Sequence, residues 1–108
     1  MVHHQYDDVW IVIPVYNEAP VVRGVIEHVL TVFPNVVCVD DGSSDGSIEE
    51  IAATRAHLVR HPVNLGQGAS LETGLAYARS PSQARAESCR LAVVQTSSVS
   101  TDAASAST

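Results

Sequence analysis

The stretch that decides the fold reads Val9-Trp10-Ile11-Val12-Ile13-Pro14-Val15-Tyr16-Asn17-Glu18. Its first five residues are β-branched or aromatic, which is typical of a buried strand, and Pro14 is expected to end that strand. From Ala19 to Phe33 apolar residues recur at three- and four-residue spacings, a pattern that predicts an amphipathic helix. A buried strand followed at once by a helix is how an α/β fold begins.

The same alternation continues along the chain. A second buried strand is expected over residues 35–39, followed by a helix from about 47 to 55. A third strand is expected over 57–60 and a third helix over 66–79. Strands and helices that alternate favour parallel strands joined by right-handed crossovers. We therefore predict an α/β fold with a three-stranded parallel sheet; the flanks of residues 91–94 give little support to a further short strand there.

The composition limits the organisation of the chain. Its 108 residues allow one ordinary domain, and 45% apolar with 17% charged residues is enough to bury a core. After Ser80 the character changes, and from Thr96 to the end only Val99 and Asp102 depart from Ser, Thr and Ala. Such a segment has too few apolar groups to pack, so a disordered tail is expected over residues 81–108.

Charge and hydropathy exclude several classes of partner. The formal net charge is −6 and no basic cluster occurs, which argues against nucleic-acid binding. No apolar run approaches the roughly 20 residues that span a bilayer, so no transmembrane segment is expected. The first residues lack the basic and apolar regions of a secretory signal, and a cytoplasmic location follows as an expectation. No histidine is assigned as a metal ligand. Cys38 and Cys89 form neither a metal-ligand pair nor a disulfide framework, so both thiols are expected to be free.

Two polar clusters follow the first two strands. They are Pro14-Val15-Tyr16-Asn17-Glu18 and Asp40-Asp41-Gly42-Ser43. Because the carboxyl ends of parallel strands meet at one edge of a sheet, these clusters are expected to lie close together, where ligands of α/β folds bind.

Three motifs in order carry a family resemblance. Residues 13–18, Val39-Asp40-Asp41-Gly42-Ser43-Ser44-Asp45-Gly46 and Asn64-Leu65-Gly66-Gln67-Gly68-Ala69 resemble motifs of the inverting glycosyltransferases of family 2, and the resemblance covers residues 9–79. It implies the N-terminal portion of a GT-A fold, a Rossmann-like nucleotide-sugar-binding domain, over residues 1–80. The closest resemblance is to polyprenyl-phosphate (dolichol-phosphate-type) mannosyl- and glucosyltransferases.

The resemblance also implies donor-binding residues at the ends of the first two strands: Pro14, Tyr16, Glu18, Val39, Asp40 and Asp41. Pro14, Tyr16 and Glu18 would line the donor-nucleotide pocket, while Val39 and Asp41 would flank the base and ribose. Carboxylates such as Glu18 and Asp41 suit this role because they accept hydrogen bonds from ribose hydroxyls and base N–H groups. Asp40 is expected to support the turn instead.

Other interpretations of these motifs fit less well. Asp-Asp-Gly-Ser alone is a common turn sequence, and only its combination with residues 16–18 favours a site. Gly66-x-Gly68 lacks the third glycine of a dinucleotide-binding fingerprint, because Leu71 stands there. A receiver domain also pairs carboxylates after a strand, but no Asp ends the third strand here.

One family element is missing from the sequence. Family 2 enzymes carry an Asp-x-Asp motif after a fourth strand, which binds Mg²⁺ or Mn²⁺ on the donor diphosphate, and no Asp-x-Asp occurs here. A complete enzyme would transfer a sugar from a GDP-mannose- or UDP-glucose-type donor to an acceptor such as polyprenyl phosphate, with inversion. We expect this chain to be an inactive N-terminal fragment whose tail, 81–108, is disordered or frameshifted. The alternative is a non-catalytic nucleotide-binding remnant or regulatory fragment.

Overall fold

The computed structural model describes residues 8–80 and 90–96. Within these ranges the strands and helices alternate in the order β1 (Val9–Val15), α1 (Ala19–Leu30), β2 (Asn35–Asp41), α2 (Ser47–Ala52), β3 (His57–His61), α3 (Gln67–Ala78) and β4 (Arg90–Val93). The strands form one parallel sheet in the order β3-β2-β1-β4. The predicted α/β fold with a parallel sheet is confirmed, and it is consistent with the N-terminal portion of a GT-A fold.

The pairing register aligns the carboxyl ends of the three predicted strands. Val15, the last residue of β1, lies opposite Asp40 of β2. Asp41 in turn lies opposite His61, the last residue of β3. The loops after β1, β2 and β3 therefore leave the sheet side by side, as loops at one edge of a parallel sheet must.

Pro14 does not end β1 as the sequence suggested, because the strand continues to Val15. The Val12 carbonyl accepts a hydrogen bond from Val94 N, so the backbone polar groups of Val12 point toward β4. Those of Pro14, two residues further along the strand, point to the same side. β4 ends at Val93, opposite Val12. The nitrogen of Pro14 thus points beyond β4, where the missing N–H breaks no ladder bond.

Both faces of the sheet are covered. Alternate side chains of β1 and β2 pack with Val22 and Ile26 of α1 and Ile51 of α2 on one face. The opposite set packs against α3 on the other face, in a cluster that includes Trp10, Val12, Val37, Val39 and Ala78. The helix α3 lies so close to β1 that a Cβ added at Gly74 would overlap the side chain of Val12. The result is a three-layer arrangement with the core on both sides of the sheet.

β4 adds a fourth strand to the three-stranded sheet that was predicted. It is only four residues long, and its attachment to β1 includes a bidentate ion pair from the Arg90 guanidinium to the Asp8 carboxylate at 2.8 and 2.9 Å. A contact between residues so far apart in sequence leaves no local pattern to detect. Residues 81–89 and 97–108 lie outside the described part of the chain, and with them most of the tail prediction and Cys89.

None of the described helices is long and apolar enough to cross a membrane. The cytoplasmic location stays a prediction.

Candidate functional site

Hydrogen bonds join the loop after β1 to the loop after β2. The backbone N–H of Asn17 donates to Ser43 Oγ at 2.8 Å, and the backbone N–H of Ser44 donates to Asn17 Oδ1 at 2.9 Å. Asn17 holds the left-handed conformation, with φ of 53°, that an asparagine tolerates better than most residues. The two polar clusters are therefore adjacent, as the parallel sheet predicted.

A second set of bonds fixes the start of α1. The backbone N–H of Glu18 donates to Ser47 Oγ at 2.9 Å, and that of Ala19 donates to Asp45 Oδ2 at 3.2 Å. Asp45 Oδ1 accepts from the Ser47 hydroxyl at 2.7 Å, which together with backbone N–H donors holds the pKa of Asp45 below its ordinary value. The N–H groups at the start of α1 are thus bonded by Asp45 in the loop after β2 and by Ser47 of α2, and not by the side chain of the N-cap residue.

Asp40 is fully buried at the end of β2. Its Oδ2 accepts a hydrogen bond from the backbone N–H of Ser43 at 2.9 Å, so the carboxylate braces the turn that follows β2. Its Oδ1 has no hydrogen-bond partner among the residues that the structure describes.

Asp41 is only 4% exposed, and its carboxylate binds the loop between β3 and α3. Oδ1 accepts from His61 Nδ1 at 2.8 Å and from Leu65 N at 2.9 Å, while Oδ2 accepts from Gly66 N at 2.9 Å. Burial acts to raise the pKa of Asp41, but the hydrogen bonds from His61, Leu65 and Gly66 outweigh it and hold the pKa below its ordinary value. Asp41 therefore fixes the chain at the entrance to α3.

Two further contacts hold the same loop. His61 Nε2 lies 2.8 Å from Thr73 Oγ1, so the imidazole bridges Asp41 to α3. Gly42 has a φ of 81°, and a Cβ there would lie only 2.7 Å from the backbone N of Asn64. Only glycine combines this conformation with so close an approach of the two loops.

A pocket of about 340 Å³ lies at the carboxyl edge of the sheet, between the ends of β1 and β2, the loops after β1 and β3, the start of α3 and the segment after β4. It is lined by Pro14, Val15, Tyr16, Glu18, Asp41, Asn64, Gly66, Gln67, Ser70, Gln95 and Thr96. Tyr16 is half exposed, whereas Ser70 and Thr96 are buried. The pocket is therefore a concave site with an open side and a closed wall, the form that small-molecule sites take.

The structure places the six expected donor-binding residues in three settings. Pro14, Tyr16, Glu18 and Asp41 line the pocket. Val39 lies in the core under α3, and Asp40 lies in the turn after β2, so neither lines the pocket.

Sequence reasoning missed several lining residues. Gln67 and Ser70 belong to α3, where helical spacing puts Ser70 one turn beyond Gly66 on the same face; that spacing was the available signal. Gln95 and Thr96 reach the pocket only because β4 pairs with β1. Glu18 and Asp41 bring two carboxyl groups, and no described lining residue is basic. Such a lining suits a neutral ligand that carries hydrogen-bond donors.

The described residues do not fit a divalent cation site. Within the described ranges, no group of three or more His, Cys, Asp or Glu side chains could hold a metal ion. Asp41, the buried carboxylate of the pocket, already accepts three hydrogen bonds from the chain.

Comparison with known proteins shows which family this chain resembles. The model of the family described as Glycosyl transferase family 2 matches residues 10–83. The chain is also similar to an uncharacterized protein, MJ1222, of Methanocaldococcus jannaschii, with 32% identity over 70 residues. The matched segment covers 64% of this chain and 29% of that protein, so the chain spans less than a third of the relative's length.

Proposed function

Because the chain belongs to glycosyltransferase family 2, we propose that its pocket binds the nucleoside of a nucleoside-diphosphate sugar, the donor for sugar transfer. The observation that carries this proposal is the pocket of about 340 Å³ at the carboxyl edge of the parallel sheet, lined by Tyr16, Glu18 and Asp41. Sites at this edge of α/β sheets are where nucleotides bind.

The lining chemistry supports a nucleoside. The half-exposed ring of Tyr16 offers a face on which a base can stack. The Glu18 carboxyl is an acceptor for the two ribose hydroxyls. Asp41 contributes mainly by holding the backbone of Leu65 and Gly66 in place. Its Oδ2 accepts one hydrogen bond, from Gly66 N, and can accept another from a ligand.

The proposal favours bases with an N–H group beside a carbonyl, which means uracil or guanine. The wall formed by Asp41, Asn64 and Gln67 combines carboxylate acceptors with amide and helix N-terminal N–H donors. Uracil and guanine offer a ring N–H to a carboxylate such as that of Asp41, whereas the corresponding ring nitrogen of adenine is an acceptor and would face the carboxylate without a hydrogen bond. The choice between uridine and guanosine stays open.

The diphosphate is proposed to lie outside the pocket. The two carboxyl groups and the absence of a basic side chain from the described lining disfavour a dianion within it. For the complete family enzyme we propose Mg²⁺ or Mn²⁺ on the diphosphate, where the cation would offset the charge of the leaving group. The described residues do not supply its site.

The proposed reaction is a single displacement with inversion. An acceptor oxygen, such as that of a polyprenyl phosphate, forms the bond to the anomeric carbon while the bond from that carbon to the diphosphate oxygen breaks. The nucleoside diphosphate leaves with the electron pair. The part of this reaction assigned to the described residues is to bind and orient the nucleoside, which sets the position of the anomeric carbon.

Calorimetry with UDP, GDP and ADP tests the proposal. We expect UDP or GDP to bind and ADP to bind at least tenfold more weakly, and Glu18→Gln to weaken binding about tenfold because the ribose then loses a charged acceptor. Glu49→Gln, at an exposed position of α2, is the matched control and leaves affinity unchanged. If neither UDP nor GDP binds the unaltered chain, the proposed function is wrong.

A transfer assay addresses catalysis separately. The chain is mixed with Mn²⁺, UDP-glucose or GDP-mannose and a polyprenyl phosphate, and the lipid fraction is analysed for sugar. We expect nucleotide binding without transfer, because the sequence contains no Asp-x-Asp motif. Sugar transfer that Asp41→Ala abolishes would contradict the fragment interpretation.

A further inference from the structure

Ser70 has an unusual environment for a serine in a helix. It lies in the second turn of α3, is fully buried and lines the pocket. Its Oγ has no hydrogen-bond partner among the described residues. A buried hydroxyl is normally paired, because leaving it without a partner destabilises the folded state.

The helix itself does not satisfy this hydroxyl. A serine within a helix often donates to the carbonyl four residues earlier, which here is that of Gly66. That carbonyl accepts the backbone N–H of Ser70 at 3.1 Å, and no bond from Ser70 Oγ accompanies it in the described structure. The hydroxyl thus has unused hydrogen-bonding capacity within the wall of the pocket, and a bound molecule would reach it once the side chain turns toward the pocket.

We propose that Ser70 is a specificity-determining residue whose hydroxyl forms a hydrogen bond with the nucleobase of the bound donor. This inference rests on the proposed function and assigns the closed wall of the pocket to the base. The base is the planar, weakly polar part of a nucleotide and gains most from burial. The ribose belongs at the open side, near Glu18, and the charged diphosphate lies outside the pocket, where water remains.

The contact would discriminate between bases because a base that does not bond to the Ser70 hydroxyl leaves that hydroxyl unpaired. A hydroxyl both donates and accepts, so Ser70 matches a polar base edge beside Asp41 and Gln67. A base without a polar atom at that position would keep Ser70 buried and unpaired, and would bind more weakly for that reason.

Ser70→Ala in the full chain tests the inference, with UDP, GDP, uridine and guanosine as ligands. We expect the variant to bind the preferred nucleoside diphosphate and its free nucleoside about three- to tenfold more weakly, the effect of one hydrogen bond. The loss is equal for the two ligands because the contact is with the base. We also expect the melting temperature without ligand to stay the same or rise, since an unpaired buried hydroxyl has been removed.

Ala76→Ser is the matched control, because it makes the reverse exchange at an exposed position of the same helix. The change in melting temperature of Ala76→Ser measures the difference in helix propensity between Ser and Ala, and we expect its nucleotide affinity to equal that of the unaltered chain.

The outcomes separate this inference from the proposed function. Equal affinity of Ser70→Ala and the unaltered chain overturns the inference alone. A weaker affinity accompanied by a lower melting temperature without ligand shows a packing role and also overturns it. No binding of UDP or GDP by the unaltered chain overturns the proposed function, and the inference with it.

Discussion

The Nδ1 atom of His61 lies 2.8 Å from Oδ1 of Asp41, and this bond joins the ends of two neighbouring strands under the pocket. The sequence assigned no role in the site to His61. The side chain is instead mostly buried and bonded at both ring nitrogens. The Asp41 carboxylate that His61 holds also accepts hydrogen bonds from Leu65 N and Gly66 N. His61 therefore helps to position a wall of the pocket without lining it.

The first prediction concerns His61. Replacing it with Leu leaves a buried carboxylate without one of its three donors, and we expect nucleotide affinity to fall about tenfold. His61→Asn keeps an N–H donor close to the position of Nδ1 and retains most of the affinity. Calorimetry with UDP and GDP measures both variants, and equal affinity of His61→Leu and the unaltered chain would exclude this role.

A hydrogen bond at the amino ends of the strands, away from the pocket, provides the control. The hydroxyl of Tyr77 lies 2.8 Å from His57 Nδ1, at the start of β3. Tyr77→Phe removes this bond and is expected to lower the melting temperature without changing nucleotide affinity. A loss of affinity in Tyr77→Phe would mean that general destabilisation, rather than the Asp41 contact, explains the His61 result.

The second prediction is a loss of stability in acid. The folded-state pKa of Asp41 lies below its ordinary value of 3.8, so its stabilising contribution is present above about pH 4 and is lost as the pH falls through the folded-state pKa. Asp8 and Asp45 have pKa values shifted in the same direction and act in the same pH range. Urea denaturation between pH 2 and 7 is the measurement. Below pH 4, we expect the free energy of unfolding to fall less steeply with decreasing pH in Asp41→Asn than in the unaltered chain. Equal slopes would contradict a lowered pKa for Asp41.

The third prediction concerns the close approach at Gly42. Gly42→Ala forces a Cβ to within 2.7 Å of Asn64 N at a φ of 81°, and we expect it to reduce the free energy of unfolding by about 1–3 kcal/mol. Gly24→Ala in α1 is the control, since a Cβ there meets nothing within 4 Å and is expected to stabilise the helix by about 0.5–1 kcal/mol. Chemical denaturation compares them, and a Gly42→Ala variant as stable as Gly24→Ala would show that the loops are not in contact.

The sequence predicted the elements that depend on local patterns. Strands β1 to β3 and helices α1 to α3 follow from runs of apolar residues and from their spacing, and the parallel sheet brings the motif loops together as a consequence. β4 was supported only weakly, because four residues carry little pattern and their pairing with β1 depends on distant contacts such as that between Asp8 and Arg90.

The site was predictable only in part, for a related reason. Pro14, Tyr16, Glu18 and Asp41 stand directly after strands, and the sheet carries them to one edge. The three donors to the Asp41 carboxylate were not visible in the sequence, because they come from a loop more than twenty residues away and from the side chain that ends β3. Spacing indicates which side chains share a face, but not which of them satisfy one another.

The last prediction concerns Cys38, which is fully buried in β2 against the helices α1 and α2. Burial, together with the nearby Asp40 carboxylate, raises the pKa of the Cys38 thiol to about 12. The thiolate is the reactive form, so at pH 8 the folded protein holds almost none of it, and the side chain is also inaccessible. We expect iodoacetamide to leave Cys38 unmodified in the native protein and to alkylate it fully in 8 M urea. Mass spectrometry of the tryptic peptide that carries Cys38 measures both states and keeps the result separate from Cys89. Rapid alkylation of Cys38 under native conditions would mean that the sheet opens on the α1 side, and it would contradict the packing of β2 described here.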